Sequence, residues 1–508
     1  MNFISLIYAL FLLISVAIYW LVGRSSESLK LWLLLIVSLT FYACLQVYYI
    51  PLLLVIILIN FRLAKAIAKN AVLSEIRPKN KNVSEEYLEK LQGFWNRRGS
   101  KILWLGITIN VLLLLGFKYI PFLLNSFAAV VDFPAATEKA NWISKSIIAP
   151  LGISFFTFEC IAYLVDVYRG APATKKFLNF ASYKLFFPKL ISGPIIRYNY
   201  FANQVVGQQF PPFEQCIEGV WLIACGALKK ALIADRLAIF VDLSFGNLER
   251  AGSGDLWLAI LAYGLQLYLD FSGYVDIARG SAKLLGFNLP ENFDFPYFST
   301  SIADFWRRWH ITLGDWLRNY LYFPLGGSRQ GLAKTCLNLL LIMLIAGIWH
   351  GAAWGYVVWG IVHGVALIGH RLVESLSEGY QWAKNFWKTV PGIIFAWIVT
   401  QLMVFSSWIL FRLPNLNQAG LVYQHLWNYS GDIQFAQKVY IEAIGMERPY
   451  VAVLLAMLVA VMALVYFVQR GSKLQLNWPV KLVLVPLCLY VVWLLSPEGG
   501  LPYIYFNF

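Results

Sequence analysis

Residues 332–355 read LAKTCLNLLLIMLIAGIWHGAAWG, an almost unbroken apolar run that leads into a histidine with tryptophans and glycines around it. A helix needs about 20 apolar residues to cross the hydrocarbon of a bilayer, and residues 332–349 come close to that length. The bilayer interior holds no water to hydrogen-bond a backbone, so such a run is expected to be helical. We therefore predict a membrane helix with His350 at its end.

Comparable apolar runs occur along the whole chain, so the sequence predicts an all-α, polytopic transmembrane protein. Several runs are short or contain charged residues, and we expect about eleven spans, give or take about two. The candidate spans are residues 3–22, 31–49, 51–61, 102–124, 147–165, 213–228, 256–285, 332–349, 354–372, 390–410, 450–468 and 480–495.

The composition also favours a membrane protein, since 59% of the residues are hydrophobic and 13% are charged. A typical soluble domain has about 25% charged residues. The net charge of +14 comes from basic residues in short loops, which favours anionic lipid as the partner and gives no reason to expect nucleic acid. The six cysteines are scattered, so they predict neither a metal site nor a redox pair.

The distribution of basic residues predicts the orientation in the membrane. Residues 62–101 contain ten Lys and Arg against four Glu, so this segment should face the cytoplasm. Two spans separate it from the basic segment 24–30, which should lie on the same side. The N-terminus is therefore predicted outside.

Two long regions resemble neither simple loops nor clean spans. Residues 175–200 and 290–329 combine aromatic residues, Pro and Gly with embedded charges, which is typical of re-entrant or interfacial helices. No internal repeat is visible, so the whole chain is expected to form a single membrane domain. Its parts would be N-terminal spans with a basic cytoplasmic loop in 1–100, a motif-bearing catalytic core in 101–380 and C-terminal spans in 381–508.

Histidines are the first candidates for chemistry, because an ionisable residue inside a membrane is costly and histidine exchanges protons near neutral pH. The alternative is a hydrogen bond to a neighbouring helix or plain solvation, and we favour it for three of the five histidines. Those three are His363, His370 and His425. A functional role is predicted for His350 and His310.

The neighbours of His350 distinguish it from the other histidines. Glycines recur every four residues around it, which would let a partner helix approach closely, and a tryptophan flanks the imidazole on either side. This combination packs backbone tightly around a single polar group. The residues concerned are Gly347, Trp349, Gly351, Trp354 and Gly355.

A second motif, DFWRRWH, occupies residues 304–310 and is expected to lie within two helical turns. Asp304 and Arg308 are spaced for an i,i+4 ion pair. One interpretation is that Arg307 and Arg308 shape a path for an anionic donor while His310 assists at the site. The other is an interfacial helix whose arginines bind lipid phosphate.

Templates of other enzyme classes are missing from the sequence. It contains no Gly-x-Ser-x-Gly elbow, no Walker loop, no His-Glu-x-x-His and no dinucleotide fingerprint after a strand. One histidine with a second one nearby and no obvious nucleophile favours direct transfer assisted by a general base. Asp270 ends an apolar run, and it either orients a group in the core or caps a helix.

These motifs resemble the membrane-bound O-acyltransferase family, in its bacterial branch of alginate O-acetylation and teichoic-acid D-alanyl transfer proteins. The resemblance runs from about residue 100 to the end, and the N-terminal spans match only in hydropathy. Two positions, Glu159 and Lys189, stand where Gln is more usual in that pattern. The matching stretches are PLGISFFTF at 150–158, FPKLISGP at 187–194, DFSGY at 270–274, NFDFPY at 292–297, DFWRRWH at 304–310, GIWHG at 347–351 and PYIYF at 502–506.

The resemblance implies that His350 is the catalytic histidine and His310 its partner. It also implies a ring of helices around a thin core with a central tunnel, the donor entering from the cytoplasm and the acceptor from outside. In the implied step, His350 removes the proton of the acceptor hydroxyl as that oxygen attacks an acyl thioester. His310, or backbone N–H groups near Gly351, would stabilise the oxyanion.

Within the branch, the long C-terminal region points to the alginate type, in which acetyl groups modify an exported polysaccharide. The resemblance then implies a bacterial inner-membrane enzyme with a separate extracytoplasmic acetyltransferase as partner. Acetyl-coenzyme A or another acyl thioester is the expected donor, without a bound cofactor or metal. The alternatives are a lipid- or protein-acylating member of the same family and, from another class, a polysaccharide or lipid transporter.

Overall fold

In the computed structural model every regular element of the described residues is helical, and the extended pairing present is an isolated antiparallel bridge between Phe293 and Trp309. The prediction of an all-α protein is therefore confirmed. The structure describes residues 3–23, 26–75, 85–472, 474, 476–497 and 500–506.

The chain forms two compact units, of which the first consists of Met1–Pro212 and Ser281–Pro290. The single-domain organisation stays a prediction. The helices of the first unit are α1 (Leu6–Leu21), α2 (Glu27–Gln46), α3 (Ile50–Glu75), α4 (Glu85–Leu114), α5 (Ile120–Val131), α6 (Pro134–Ser146), α7 (Ile153–Tyr168), α8 (Phe177–Leu185) and α9 (Tyr198–Val205).

The second unit consists of Phe213–Gly280 and Glu291–Phe508, so that α12 ends beyond it. Its helices are α10 (Phe213–Ala227), α11 (Asp235–Phe245), α12 (Ser253–Leu284), α13 (Ile302–Arg308), α14 (Ile311–Leu317), α15 (Leu332–His350), α16 (Trp354–Gly379), α17 (Gln381–Phe386), α18 (Val390–Arg412), α19 (Leu416–His425), α20 (Ile433–Phe435), α21 (Arg448–Tyr466) and α22 (Trp478–Leu495).

Within the described chain, eight helical segments are long and apolar enough to cross a membrane, which confirms a polytopic membrane protein. The predicted runs 31–49 and 51–61 lie in one of these segments, and three other predicted runs correspond to α1, α7 and α10, with 15 or 16 residues each. The eight segments are Glu27–Asn70, Asn96–Val131, Ser253–Leu284, Leu332–His350, Trp354–Gly379, Val390–Arg412, Arg448–Gly471 and Trp478–Leu495.

These segments differ greatly in how much of them the protein covers. In Arg448–Gly471 and Trp478–Leu495 only 11% of the apolar window is buried, so their leucines and valines are left for lipid. In Ser253–Leu284, which is α12, 83% is buried. A helix enclosed by protein can carry polar side chains that lipid would not tolerate, and α12 carries Asp270.

The basic segment 62–101 is mostly helical rather than an open loop. α3 continues to Glu75 and α4 starts at Glu85, so the basic residues extend two long helices beyond their apolar parts. Residues 76–84 and 24–25 lie outside the described residues. The predicted cytoplasmic position of both segments, and the N-terminus outside, stay predictions.

The two regions expected to be re-entrant or interfacial contain short helices. In 175–200 these are α8, with nine residues, and the start of α9; in 290–329 they are α13 and α14, with seven residues each. At about 1.5 Å per residue, a seven-residue helix is far shorter than the hydrocarbon layer. None of these four helices crosses a membrane on its own.

The two positions that depart from the family pattern meet inside the first unit. Lys189 Nζ lies 2.7 Å from both carboxylate oxygens of Glu159, and Lys184 Nζ lies 3.0 Å from one of them. All three side chains are buried. A buried charge is destabilising unless it is paired, so the two departures compensate each other. They leave the histidine motifs untouched.

Candidate active site

His350 is the last residue of α15, and the backbone turns away directly after it. Gly351 is extended at φ −172°, and a Cβ added to it would collide with the ring of Tyr356. Gly347 therefore lies on α15, Gly351 between the helices and Gly355 on α16, so the four-residue glycine spacing does not follow one helix. α15 ends where Gly351 allows the chain to pass the Tyr356 ring.

The other two glycines of the motif serve separate close contacts. A Cβ on Gly347 would lie 3.0 Å from Gly360 Cα, so α15 and α16 pack backbone against backbone there, as the spacing predicted. A Cβ on Gly355 would lie 2.5 Å from Pro414 Cα. Trp354 begins α16 and is 53% exposed, and its predicted part in flanking the imidazole stays a prediction.

His350 lies in an aromatic enclosure and is 2% exposed. Its ring centroid is 5.0 Å from Trp349, 5.1 Å from Trp359, 5.1 Å from Phe411 and 6.0 Å from Tyr505. The predicted neighbour Trp349 is thus in place, and Trp359 provides the second tryptophan ring. Such walls exclude water from the imidazole.

His310 does not continue the helix that carries the arginines, which corrects the prediction of one run of two turns. α13 ends at Arg308, and His310 adopts the left-handed conformation at φ 44°, ψ 55°. The conformation is uncommon for residues other than glycine. Hydrogen bonds on both sides hold it: Asp294 N–H donates to Arg308 C=O at 3.0 Å and Ile311 N–H to Asn292 C=O at 2.9 Å.

This turn directs His310 into the same buried centre as His350. Its ring lies 4.9 Å from Phe271, 6.3 Å from Trp349 and 6.1 Å from Tyr505, and the last two rings also contact His350. His310 is completely buried, and burial lowers its pKa to about 3. The imidazole is therefore neutral at working pH and offers one donor and one acceptor nitrogen.

The arginines of the motif lie apart from the imidazoles. Arg308 forms the predicted ion pair, with its Nε 2.9 Å from Asp304 Oδ2, and Arg307 is exposed. His310 is completely buried, so the arginines differ from it in their access to solvent. Their part in admitting a donor stays a prediction.

His363 has the structural role predicted for it. Trp306 Nε1–H donates to its Nδ1 at 3.2 Å, and its Nε2 lies 2.9 Å from Ser407 Oγ, which donates to the Val404 carbonyl. The acceptor role of Nδ1 leaves the proton on Nε2. Both ring nitrogens are therefore satisfied, and the ring supports Trp359 at 4.6 Å.

His425 and His370 lie outside this centre. The His425 ring stacks on Tyr429 at 3.6 Å and its Nδ1 is 3.3 Å from the Leu248 carbonyl, so it is partly packed rather than fully solvated. His370 is partly exposed near the end of α16.

Asp270 lies in the middle of α12, which excludes the capping alternative. Its side chain is 2% exposed and accepts a hydrogen bond from Lys230 Nζ at 2.6 Å and from the Ile504 N–H at 2.9 Å. It therefore orients groups in the core. The next residue, Phe271, stacks on Tyr505 at 3.8 Å.

The structure adds aromatic residues to the site that the histidine motifs did not indicate. They come from α12, α16, α18 and the C-terminal segment, and two of them, Phe271 and Tyr505, belong to stretches singled out in the sequence. Among the described residues, no three His, Cys, Asp or Glu are grouped so as to hold a metal ion. The additional residues are Phe271, Trp359, Phe411 and Tyr505.

Several known proteins are similar to this chain over most of its length. A probable alginate O-acetylase AlgI from Pseudomonas syringae is 36% identical over 84% of this chain and 75% of its own, and one from Pseudomonas putida is 32% identical over 98% of both chains. A peptidoglycan O-acetyltransferase from Helicobacter pylori is 35% identical over 77% of this chain and 72% of its own.

The family match covers most of the chain and both histidine motifs. Residues 6–411 match the family described as MBOAT, membrane-bound O-acyltransferase. This decides between an enzyme and the transporter considered above, because the relatives are named as acetylases and acetyltransferases. The chain therefore belongs to the membrane-bound O-acyltransferase family and is an acyltransferase.

Proposed function

We propose that this enzyme moves an acetyl group from an acyl thioester on the cytoplasmic side to serve the O-acetylation of an exported or cell-surface polysaccharide, with His350 as general base. The observation that carries the proposal is the pair of buried imidazoles, His350 and His310, which share the walls formed by Trp349 and Tyr505. Two proton-exchanging groups in one buried centre suit transfer to a hydroxyl.

The proposed step needs no covalent enzyme intermediate. His350 takes the proton of the acceptor hydroxyl while that oxygen bonds to the thioester carbonyl carbon, and the carbonyl oxygen becomes an oxyanion. His310, or the N–H of Gly351 where the helix ends, donates a hydrogen bond to this oxyanion. Collapse breaks the carbon–sulfur bond, and the thiolate recovers the proton from His350. The enclosed centre holds both reactants in position.

The polysaccharide acceptor is supported by what the relatives are named for. Alginate and peptidoglycan are both carbohydrate polymers outside the cytoplasmic membrane, and the relatives named for them are 32–36% identical to this chain. The donor we propose is acetyl-coenzyme A or another acyl thioester, and the partner is a separate extracytoplasmic acetyltransferase. The enzyme would then lie in the bacterial inner membrane.

The experiment compares polymers from cells with the gene, without it and with it restored. We expect ester-linked acetate on the exported polysaccharide to disappear on deletion and to return on complementation, while peptidoglycan and lipid acylation stay constant. Loss of acetate from peptidoglycan alone would favour the second candidate, peptidoglycan O-acetylation, which the Helicobacter pylori relative supports. Unchanged acylation of every polymer would contradict the proposal.

The orientation belongs to the same proposal, since a cytoplasmic donor requires a path from that side. With the segment 62–101 inside, an impermeant thiol reagent should not label a cysteine placed at Asn82 in intact cells. Labelling there would reverse the orientation.

Arg307 and Arg308 are proposed to help bind or admit the anionic donor. Changing both to Gln should raise the apparent KM for the donor about 2–30-fold, since surface charge contacts contribute about 0.2–1 kcal/mol each. The measurement is donor-dependent acetyl transfer in membranes that hold equal amounts of protein.

Arg318 provides the matched control, because it is an exposed arginine paired with Asp315 in the same region of the chain. Arg318→Gln should leave donor dependence unchanged. If the double variant behaves like Arg318→Gln, the two arginines are lipid anchors rather than donor contacts.

A further inference from the structure

A buried charge cluster lies in the second unit and takes no part in the proposed step. Lys230 Nζ lies 2.6 Å from Asp270 Oδ1 and 2.8 Å from Asp235 Oδ1, and each of these side chains is 2% exposed. Two carboxyl groups therefore surround one ammonium group in the interior. Buried charges are retained only where they are paired and hydrogen-bonded. The other hydrogen bonds of the cluster are therefore needed to keep it stable.

The cluster makes these other contacts with the C-terminal segment, residues 502–505. Lys230 Nζ donates to the Pro502 carbonyl at 3.2 Å and lies 4.6 Å from the centre of the Tyr503 ring. Asp270 Oδ2 accepts the Ile504 N–H at 2.9 Å. The cluster therefore contacts three consecutive residues, two through backbone atoms and one through its ring.

The next residue, Tyr505, lies close to both histidines. Tyr505 stacks on Phe271 at 3.8 Å with 22° between the rings, and its centroid lies 6.1 Å from His310 and 6.0 Å from His350. Phe271 directly follows Asp270, so adjacent residues of α12 hold the backbone and the ring of the same short segment. The last turn, Ile504–Phe506, is a 3-10 helix and is too short to hold itself in place.

The local backbone brings Lys230 to this position. Lys230 lies in a π-helical segment, Leu228–Ala234, between α10 and α11. Wide turns of this kind are frequent at functional sites. The neighbouring Lys229 pairs with Asp276 at 2.7 Å, also on α12, but those side chains are 31% and 14% exposed.

We propose that Lys230 and Asp270 are positioning residues that hold residues 502–505 in the active centre, so that Tyr505 completes the wall shared by the two histidines. The relevance to catalysis rests on the proposed roles of those histidines. Ordering a short segment costs conformational entropy, and charge-assisted hydrogen bonds to its backbone are strong enough to oppose that cost. Without them, the segment should leave the centre and transfer should slow.

Asp270→Asn is the variant of choice, because it keeps the side-chain volume and leaves Lys230 paired with Asp235. In a cysteine-depleted protein carrying Ile504→Cys, membranes are treated with a permeant maleimide. We expect Asp270→Asn to raise the labelling rate of that cysteine about tenfold or more, as local opening exposes it. Asp276→Asn removes the neighbouring ion pair instead and should leave the rate unchanged.

Activity provides the second readout. Asp270→Asn should lower kcat for acetyl transfer about tenfold or more while the donor KM changes by about twofold at most, since the centre and not donor binding is altered. Ile504→Pro removes the N–H that donates to Asp270, at the first position of a helical turn where Pro is tolerated. It should give the same loss without touching the core.

The labelling result does not depend on which residue is the general base. The positioning proposal and the catalytic proposal for His350 can therefore be refuted independently. If His350→Ala keeps its activity but Asp270→Asn exposes the cysteine, the holding role stands and the catalytic role falls. Labelling of the Asp270→Asn protein at the parental rate overturns the positioning proposal. Raised labelling with fully retained transfer overturns it as well.

Discussion

Replacing His350 with Ala should abolish most acetyl transfer while leaving a folded protein at normal levels in the membrane. Loss of a general base commonly lowers turnover about 10²–10⁴-fold, and the loss should lie at the upper end if the same group also stabilises the oxyanion. The walls around His350 come from separate elements, α16, α18 and the C-terminal segment, so removal of one ring leaves their mutual contacts in place. The measurement is acetyl content of the exported polymer, with membrane levels determined by immunoblot.

His425→Ala serves as the control for the histidine substitutions. His425 stacks on Tyr429 and lies outside the buried centre, so its replacement should be close to neutral for transfer. Normal acetylation by a well-expressed His350→Ala protein would refute the catalytic role of His350. Equal losses in both variants would point to a general effect on the protein.

Replacing His310 should be severe but less complete, because its proposed part is to stabilise the oxyanion. Removing one such donor lowers kcat about 10²–10³-fold. Its positive φ makes Gly the informative substitution, since His310→Gly removes the imidazole and accepts the same backbone conformation. We expect a large fall in kcat in membranes, with a thermal stability near that of the parent.

His310→Ala completes the comparison, because alanine in the left-handed conformation is strained and glycine is not. His310→Ala should lose as much activity as His310→Gly and should unfold at a lower temperature than the Gly variant. A His310→Gly protein with parental kcat would show that the imidazole is dispensable. The role of this position would then be to shape the turn between α13 and α14.

The buried surroundings of the two imidazoles connect these expectations. Both rings contact Trp349 and Tyr505, so the two imidazoles share these walls. In the proposed step, proton exchange would take place between His350 and the reactants in this buried centre. A substitution that admits water there should therefore reduce transfer even when both histidines are present.

Local patterns were sufficient for much of this protein. Hydropathy runs predicted the membrane helices, because the need for about 20 apolar residues is met within each segment by itself. The motifs around His310 and His350 stood out for the same reason, since an unusual polar residue in apolar surroundings is visible without any distant contact. The i,i+4 pair of Asp304 with Arg308 is likewise a property of one helical turn.

Only the tertiary structure decided how these parts meet. The helix break after Arg308 depends on hydrogen bonds with residues 292–294. The prediction of one helical run over 304–310 did not include these contacts. Lys230 and Pro502 are separated by 272 residues, and Glu159 and Lys189 by 30, so neither contact leaves a periodic signal along the chain. Hydropathy and helical spacing predict the local structure of a single segment. The partner of a buried charge is decided only when folding brings distant segments together.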